Sequence, residues 1–251
     1  NYGWVKKTTK YGLTYNYTVE WGDGSPLNTH TGNATYNYND RGGVYTVKIS
    51  DVFPSFYNNG EWNDKLRTVE QWGNISWRTM ANAFNRCVSL TSINATDAPD
   101  LSRVTDMSNA FRNTYTFNGD ISNWDVSNVT KMDGLFYEAR MFNQDIGNWN
   151  VSNVTSMKDI FRQAGAFNQN LGGWDVRKVT NEIFLQQSGL SAANYDATIM
   201  GWSNLNVRRG VTVTAWSIPW CHSGAARDIL VSKGWIINNQ NIQHCLGTCT
   251  S

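Results

Sequence analysis

The sequence predicts an α+β fold, in which a solenoid of about five 25-residue coils follows a small β-sandwich-like domain. Two observations predict it. The first sixty residues contain short runs that alternate apolar and polar side chains at a period of two, and later segments repeat without gaps every 25 residues. We accordingly expect a β-domain over residues 1–60, a repeat region over 61–190 and a C-terminal capping segment over 191–251.

The β-domain is predicted from two alternating runs, residues 14–21 and 44–49, that are separated by turn residues. The Gly-Asp-Gly segment at 22–24 ends the first run as a turn. We interpret Asp23 as a turn residue that accepts hydrogen bonds from nearby backbone amides. Short strands joined by tight turns predict a small antiparallel sheet or sandwich.

The repeat region is identified by residues that recur at the same place in successive units. Three of these columns are Val104, Val129 and Val154; Phe111, Phe136 and Phe161; and Trp124, Trp149 and Trp174. Imperfect units precede and follow them, which is typical of a stack whose ends must face water.

Each unit is predicted to contain one short helix and one short strand. The apolar stripe Val129, Met132, Phe136 and Ala139 has helical spacing over about three turns. Thr130 and Asp133 have the spacing of a helix N-terminal box. The stretch that contains Trp149 then predicts a strand, and stacking of units buries what a single unit cannot.

Two columns are the candidate ligand-binding residues. Trp124, Trp149 and Trp174 suit the core because they alternate with valines, but an outward-facing column would form an aromatic ladder for sugar rings or protein side chains. The acids Asp120 and Asp145 suit turn chemistry or a surface ladder. A recurring asparagine at 118, 143 and 168 is expected to satisfy backbone groups.

The wording of the repeats also resembles a known family. "FNGDISNWDVSNVTKMDGLF" and "FNQDIGNWNVSNVTSMKDIF" look very much like the units of BspA-like leucine-rich-repeat surface proteins. That resemblance implies a leucine-rich-repeat-like solenoid on a bacterial surface or in a secreted protein, and an association with adhesion. Residues 21–24 with 43–49 are similar to PKD-type domains, which implies an extracellular spacer.

The four cysteines predict one disulfide. Cys221 paired with Cys245 or Cys249 would close a loop of about 25 residues, which would stabilise the fold by about 3 kcal/mol. Such a bond implies an oxidising compartment. Cys87 is expected to be a buried free thiol. No zinc-like spacing is present, so we expect no metal and no cofactor.

Charge and composition restrict the function classes. Lys and Arg number 21 against 20 acids, a net charge of +1, which argues against nucleic acid or an anionic membrane as the main partner. No run approaches the roughly 20 apolar residues of a membrane span. The three histidines lie in dissimilar contexts without a nucleophile motif, and the acids follow the repeat, so we expect no catalysis.

The sequence therefore predicts a secreted or cell-surface interaction and adhesion protein that binds an extracellular protein or glycan through its repeat face. One alternative is a self-assembling structural protein that forms a filament or surface layer. A glycan-active enzyme is the other alternative.

Overall fold

The computed structural model describes residues 2–8, 12–39, 42–58 and 60–239. In these ranges the chain forms ten short strands and two helices. In chain order they are β1 (Tyr2–Val5), β2 (Asn16–Glu20), β3 (Asn28–His30), β4 (Ala34–Asn37), β5 (Lys48–Val52), β6 (Thr68–Val69), β7 (Ser92–Ile93), β8 (Ile183–Phe184), α1 (Ala192–Ser203), β9 (Thr212–Thr214), α2 (Gly224–Ser232) and β10 (Ile236–Asn238). Neither helix is long and apolar enough to cross a membrane.

The N-terminal residues form two small antiparallel sheets. Strand β2 lies between β3 and β5, with Tyr17 opposite His30 and Val19 opposite Ile49, and β1 pairs with β4. The alternation that predicts the first strand is visible in β2, where Tyr17 and Val19 are buried. The second strand begins at Lys48, later than the predicted 44–49.

The predicted α+β, leucine-rich-repeat-like solenoid, with one helix and one strand in every coil, is wrong. Residues 94–182, all of which are described, contain no helix and no strand, only turns, coil and isolated bridges. The two helices lie after the repeats, and the strands form small separate sheets.

Four-residue turns replace the predicted helix over residues 129–139. The N–H of Leu135 donates to the carbonyl of Met132 at 3.2 Å, and the N–H of Ala139 donates to that of Phe136 at 3.0 Å. The third residue of each turn has a positive φ, 61° at Gly134 and 54° at Glu138. A right-handed helix cannot pass through such residues. Successive turns of four residues nevertheless bury side chains at nearly helical spacing, which explains the wrong prediction.

Neighbouring repeats contact each other through backbone hydrogen bonds and stacked rings. The N–H of Phe111 donates to Leu135, and that of Phe136 donates to Ile160, both at 2.9 Å. The rings of Phe111, Phe136 and Phe161 stack with centroids 5.7 and 5.6 Å apart. The buried core of the repeats is therefore a column of phenylalanines with valine, methionine and tryptophan around it.

The C-terminal residues hold two helices against a three-stranded parallel sheet of order β10-β9-β8. Ser191 caps α1, and its hydroxyl accepts a hydrogen bond from the N–H of Asn194. The buried carboxylate of Asp196 on α1 accepts the N–H groups of Cys221, His222 and Ser223, just before α2 begins. These contacts fix the second helix to the first.

Candidate functional site

The tryptophan column belongs to the core. Trp124, Trp149 and Trp174 are 4%, 3% and 1% exposed. The indole N–H of Trp149 donates to the carbonyl of Ile121 at 3.1 Å, and that of Trp174 donates to Ile146 at 2.9 Å. Because all three rings are covered, and the N–H groups of Trp149 and Trp174 are bonded one repeat back, these residues present no exposed aromatic ladder to a ligand.

The candidate acids lie on the surface, and each one closes a turn. An oxygen of Asp120 accepts the N–H of Ser122, and one of Asp145 accepts the N–H of Gly147, both at 2.9 Å. Asn170 makes the same contact with Gly172 at 2.8 Å. The hydrogen bonds from the backbone and hydroxyl of Ser122 lower the pKa of Asp120. The two acids therefore have a structural role as turn residues.

A second column of exposed acids and amides repeats this turn chemistry. Asp125 accepts the N–H of Ser127 at 3.0 Å, and Asn150 accepts that of Ser152 at 3.2 Å. The hydroxyl of Ser127 is the main cause of the lowered pKa of Asp125. Since an amide replaces the acid in alternate repeats without loss of the contact, the contact itself does not need a charge.

The asparagine column satisfies backbone groups between repeats. The side-chain oxygen of Asn143 accepts the N–H of Asn168 at 2.8 Å and the amide of Gln169 at 2.9 Å. In the same way Asn168 accepts the N–H of Ser191, the residue that caps α1. Asp23 is likewise a turn residue, bonded to the N–H of Ser25 at 3.1 Å and to the hydroxyl of Tyr36.

An arginine–aromatic strip, which we did not predict from the sequence, lies on the surface of the repeats. Its members are four arginines and four aromatic residues whose side chains contact one another across successive units. They are Trp62, Arg86, Arg112, Tyr115, Tyr137, Arg140, Arg162 and Phe184.

One half of the strip centres on Tyr137. The guanidinium of Arg112, one repeat earlier, lies 4.0 Å from the centroid of the Tyr137 ring, and that of Arg162, one repeat later, lies 5.7 Å from it. Arg162 also lies 5.6 Å from the ring of Phe184. These distances are typical of cation–π contacts, which restrict the rotamers of the two arginines.

The other half of the strip centres on Tyr115. The guanidinium of Arg140 lies 4.3 Å from the Tyr115 ring, and Trp62 approaches the same ring at 5.8 Å. Arg86 lies 5.2 Å from the Trp62 ring. Trp62 is 58% exposed, so this half presents a large aromatic surface to solvent.

The strip carries more positive than negative charge. Arg140 pairs with Glu138 at 3.0 Å, and Arg162 pairs with Asp159 at 3.4 Å. The other two arginines donate to neutral oxygens, Arg86 to the carbonyl of Gly60 and Arg112 to the side chain of Asn109. Four guanidinium groups therefore stand against two carboxylates.

A shallow, open depression of about 380 Å³ borders Arg140 of the strip. Its lining is Glu138, Arg140, Gln163, Gly165 and Gln187. In the part of the chain that the structure describes, no three His, Cys, Asp or Glu side chains are placed to hold a metal ion. The arrangement is suited to hydrogen bonding and ion pairing at a surface.

The sequence contains a signal for this strip in the spacing of its members. Arg112, Tyr137 and Arg162 lie 25 residues apart, and Tyr115 and Arg140 are separated by the same interval. A column that alternates arginine with tyrosine differs from the core columns of this chain, whose members are apolar or small. The signal for the strip is therefore the 25-residue spacing of arginine and tyrosine at surface positions.

The structure describes two of the four cysteines, Cys87 and Cys221. Cys87 is a buried free thiol, as predicted, and burial raises its pKa to about 12. Cys245 and Cys249 lie outside the described residues, so the disulfide to Cys221 stays a prediction.

Residues 78–202 match a protein family that is described as Mycoplasma protein of unknown function, DUF285. No curated protein and no solved structure matches the chain. The resemblances to BspA-like and PKD-type proteins therefore stay predictions. The matched segment begins just before Met80 and ends within α1, so that it contains every member of the strip except Trp62. Most of the repeat region, with every member of the strip except Trp62, thus lies in a segment similar to the DUF285 family.

Proposed function

We propose that this chain is a secreted or cell-surface interaction protein that binds an extracellular protein or glycan through the exposed surface of its repeats, without catalysis. The observation that carries the proposal is the arginine–aromatic strip. Exposed tryptophan, tyrosine and arginine side chains are the types most enriched at binding hot spots. In this chain they form two groups of contacts, one around Tyr115 and one around Tyr137.

The strip suits binding because its side chains are already ordered. Arg112 and Arg162 both lie over the ring of Tyr137, and each also contacts an acceptor on its own repeat. Long side chains that are fixed before binding lose less conformational entropy when a partner arrives. The same ordering would be unnecessary for a surface that only keeps the protein in solution.

The repeated acids support a binding protein over a glycan-active enzyme. Asp120 and Asp145 make the same turn contact in successive repeats. An acid–base pair requires two carboxyl groups whose environments separate their pKa values. Asp120 and Asp145 instead each use a carboxylate oxygen to accept the N–H of the second residue after them, which is turn chemistry.

The proposed location outside the cell rests on composition and on the predicted disulfide. Charged residues make up only 16% of the chain, and neutral polar residues supply most of its solubility. A bond between Cys221 and Cys245 would form in an oxidising compartment. Mass spectrometry of the non-reduced protein after proteolysis would detect this bond, and reduced thiols at both positions would contradict it.

The experiment that tests the function is an array of glycans and extracellular proteins, probed with the oxidised, monomeric chain. We expect at least one partner that wild-type protein binds and that Arg112→Gln/Arg162→Gln protein binds more weakly. A partner whose affinity does not depend on any residue of the strip would show that another surface binds. Absence of any partner would contradict the proposal.

A second candidate function is self-assembly, which one observation favours. Strand β5 lies at the edge of its sheet, and near it Val44 and Val52 are 79% and 52% exposed. Apolar side chains on an unprotected edge strand promote pairing between chains. Light scattering that rises with protein concentration, and falls in Val44→Lys/Val52→Lys protein, would support it. A monomer at all concentrations would contradict it.

A further inference from the structure

We infer that the arginine–aromatic strip binds a linear anionic polysaccharide, whose carboxylate or sulfate groups pair with the guanidinium groups. The inference rests on the proposed binding function and names the class of its partner.

The first argument is the orientation that stacking imposes on the arginines. A guanidinium that lies over a ring uses its flat face for that contact and keeps its N–H edges for other partners. The guanidinium carbons of Arg112 and Arg140 lie 4.0 and 4.3 Å from the ring centroids of Tyr137 and Tyr115, and each group uses one terminal nitrogen within its own unit. The N–H edges of a guanidinium match the oxygens of a planar or tetrahedral oxyanion, with two parallel hydrogen bonds.

The second argument is the number of cations that the strip collects. Four successive units each supply one guanidinium group, from Arg86, Arg112, Arg140 and Arg162, and those of Arg86 and Arg112 donate to neutral oxygens. A polymer that carries several anionic groups can contact more than one of these charges at once, which raises its avidity.

The third argument is the chemistry beside the strip. The adjacent depression is lined by Arg140, Gln163 and Gln187, whose amide and guanidinium groups can bond to sugar hydroxyls. Trp62 offers an exposed ring that contacts Tyr115, over which Arg140 lies. Such a mixture of amides, cations and one exposed aromatic is suited to an acidic sugar chain.

Two other polymers suit the strip less well. A protein partner of ordinary affinity needs a dry apolar centre, whereas here the rings of Tyr115 and Tyr137 are covered by guanidinium groups. A nucleic acid needs a dense positive field, but Glu138 and Asp159 lie within the strip and the net charge of the chain is only +1. A polysaccharide whose anionic groups are widely spaced needs neither an apolar centre nor a dense positive field.

The test is direct binding of the full chain to heparin, polygalacturonate and neutral dextran, at several salt concentrations. Heparin presents sulfates and polygalacturonate presents only carboxylates, so the pair distinguishes the two anions. We expect one or both acidic polymers to bind, with an affinity that falls as salt rises, and dextran not to bind. Equal binding of dextran would overturn the inference.

The chain offers a closely matched pair of variants. Arg140 and Arg177 both have 58% exposed side chains, and each pairs with an acid two residues earlier, Glu138 and Asp175. Arg140 belongs to the strip and Arg177 does not. We expect Arg140→Gln to weaken binding to the acidic polymer about tenfold, as for loss of one charge-assisted contact, and Arg177→Gln to leave it unchanged.

Arg140→Lys separates charge from geometry, since lysine keeps the charge but loses the planar fork. We expect it to bind more weakly than wild type. Equal losses in Arg140→Gln and Arg177→Gln would show general attraction of a polyanion to any cation and would overturn the inference. Thermal unfolding of each variant shows that a loss of binding is not a loss of fold.

The outcome also separates this inference from the proposed function. If neither acidic polymer binds but an array partner depends on Arg112 and Arg162, the polysaccharide inference fails and the binding function stands. If no polymer and no array partner binds, both fail.

Discussion

The side-chain oxygen of Asn118 accepts a hydrogen bond from the backbone N–H of Asn143, one repeat later, at 2.9 Å. The same bond joins Asn143 to Asn168, and Asn168 to Ser191 at the beginning of α1. One type of side chain thus connects three repeats to the C-terminal helix, at positions where the backbone would otherwise lack an acceptor.

We predict that Asn143→Ala lowers the free energy of unfolding by about 1 kcal/mol, because it removes the acceptor of the Asn168 N–H and of the Gln169 amide. The exposed Asn148 is the control, and Asn148→Ala should change stability by less than about 0.5 kcal/mol. Urea unfolding measures both. Equal effects in the two variants would contradict the role of the asparagine column.

The buried Trp149 should contribute to stability, and the exposed Trp62 should contribute to binding. We predict that Trp149→Ala lowers the free energy of unfolding by about 3–5 kcal/mol, since it leaves a cavity and removes the bond to Ile121. Trp62→Ala should change stability little, because its side chain is mostly in solvent, but it should weaken binding to the partner of the strip. Thermal unfolding and binding measured on the same two proteins test this. Strong destabilisation by Trp62→Ala would show that the strip is a structural feature.

The carboxylate of Asp196 should be essential for the position of α2. It is buried and accepts three consecutive N–H groups, at 2.8, 2.6 and 3.2 Å. We predict that Asp196→Asn costs about 2 kcal/mol, because an amide keeps only one acceptor oxygen and loses the charge. Asp120→Asn is the control, since Asn170 already makes the equivalent turn contact in another repeat. Equal urea midpoints for the two variants would rule out this role of the carboxylate.

Acid should destabilise the protein through its turn acids. The pKa values of Asp120 and Asp125 are lowered in the folded chain by hydrogen bonds from Ser122 and Ser127. The unfolded chain therefore binds protons more readily, so this contribution is present above the ordinary aspartate pKa of about 4 and is lost as pH falls through the lowered values. Urea midpoints measured from neutral to acid pH should fall less steeply for Asp120→Asn/Asp125→Asn protein. An identical slope would contradict the assignment.

The sequence was informative where a residue type repeats at a buried position. The phenylalanine column at 111, 136 and 161 and the asparagine column at 118, 143 and 168 were both predicted, because their chemistry is the same in each unit. The conformation of each unit was predicted wrongly. Apolar spacing alone cannot distinguish a helix from consecutive turns of four residues, since both bury every third or fourth side chain.

The strip was missed for a different reason. Its members change residue type from one unit to the next, so a search for identical positions passes over them. Only the structure shows that Arg112 of one repeat lies over Tyr137 of another. Such contacts depend on how neighbouring repeats pack against each other, and the sequence of one unit does not reveal that packing.

Two residues in the turns of the repeats, Glu138 and Gln163, have a left-handed backbone conformation. Glu138 and Gln163 have φ of 54° and 62°, a region that a D-amino acid enters freely and an L-residue enters at a cost of about 1 kcal/mol or more. Bonds to the neighbouring unit offset part of this cost, as when the N–H of Glu138 donates to the carbonyl of Arg162. A synthetic 25-residue peptide with the sequence of one unit would therefore stay unstructured in water, and the shape of each unit is a property that it acquires from its neighbours.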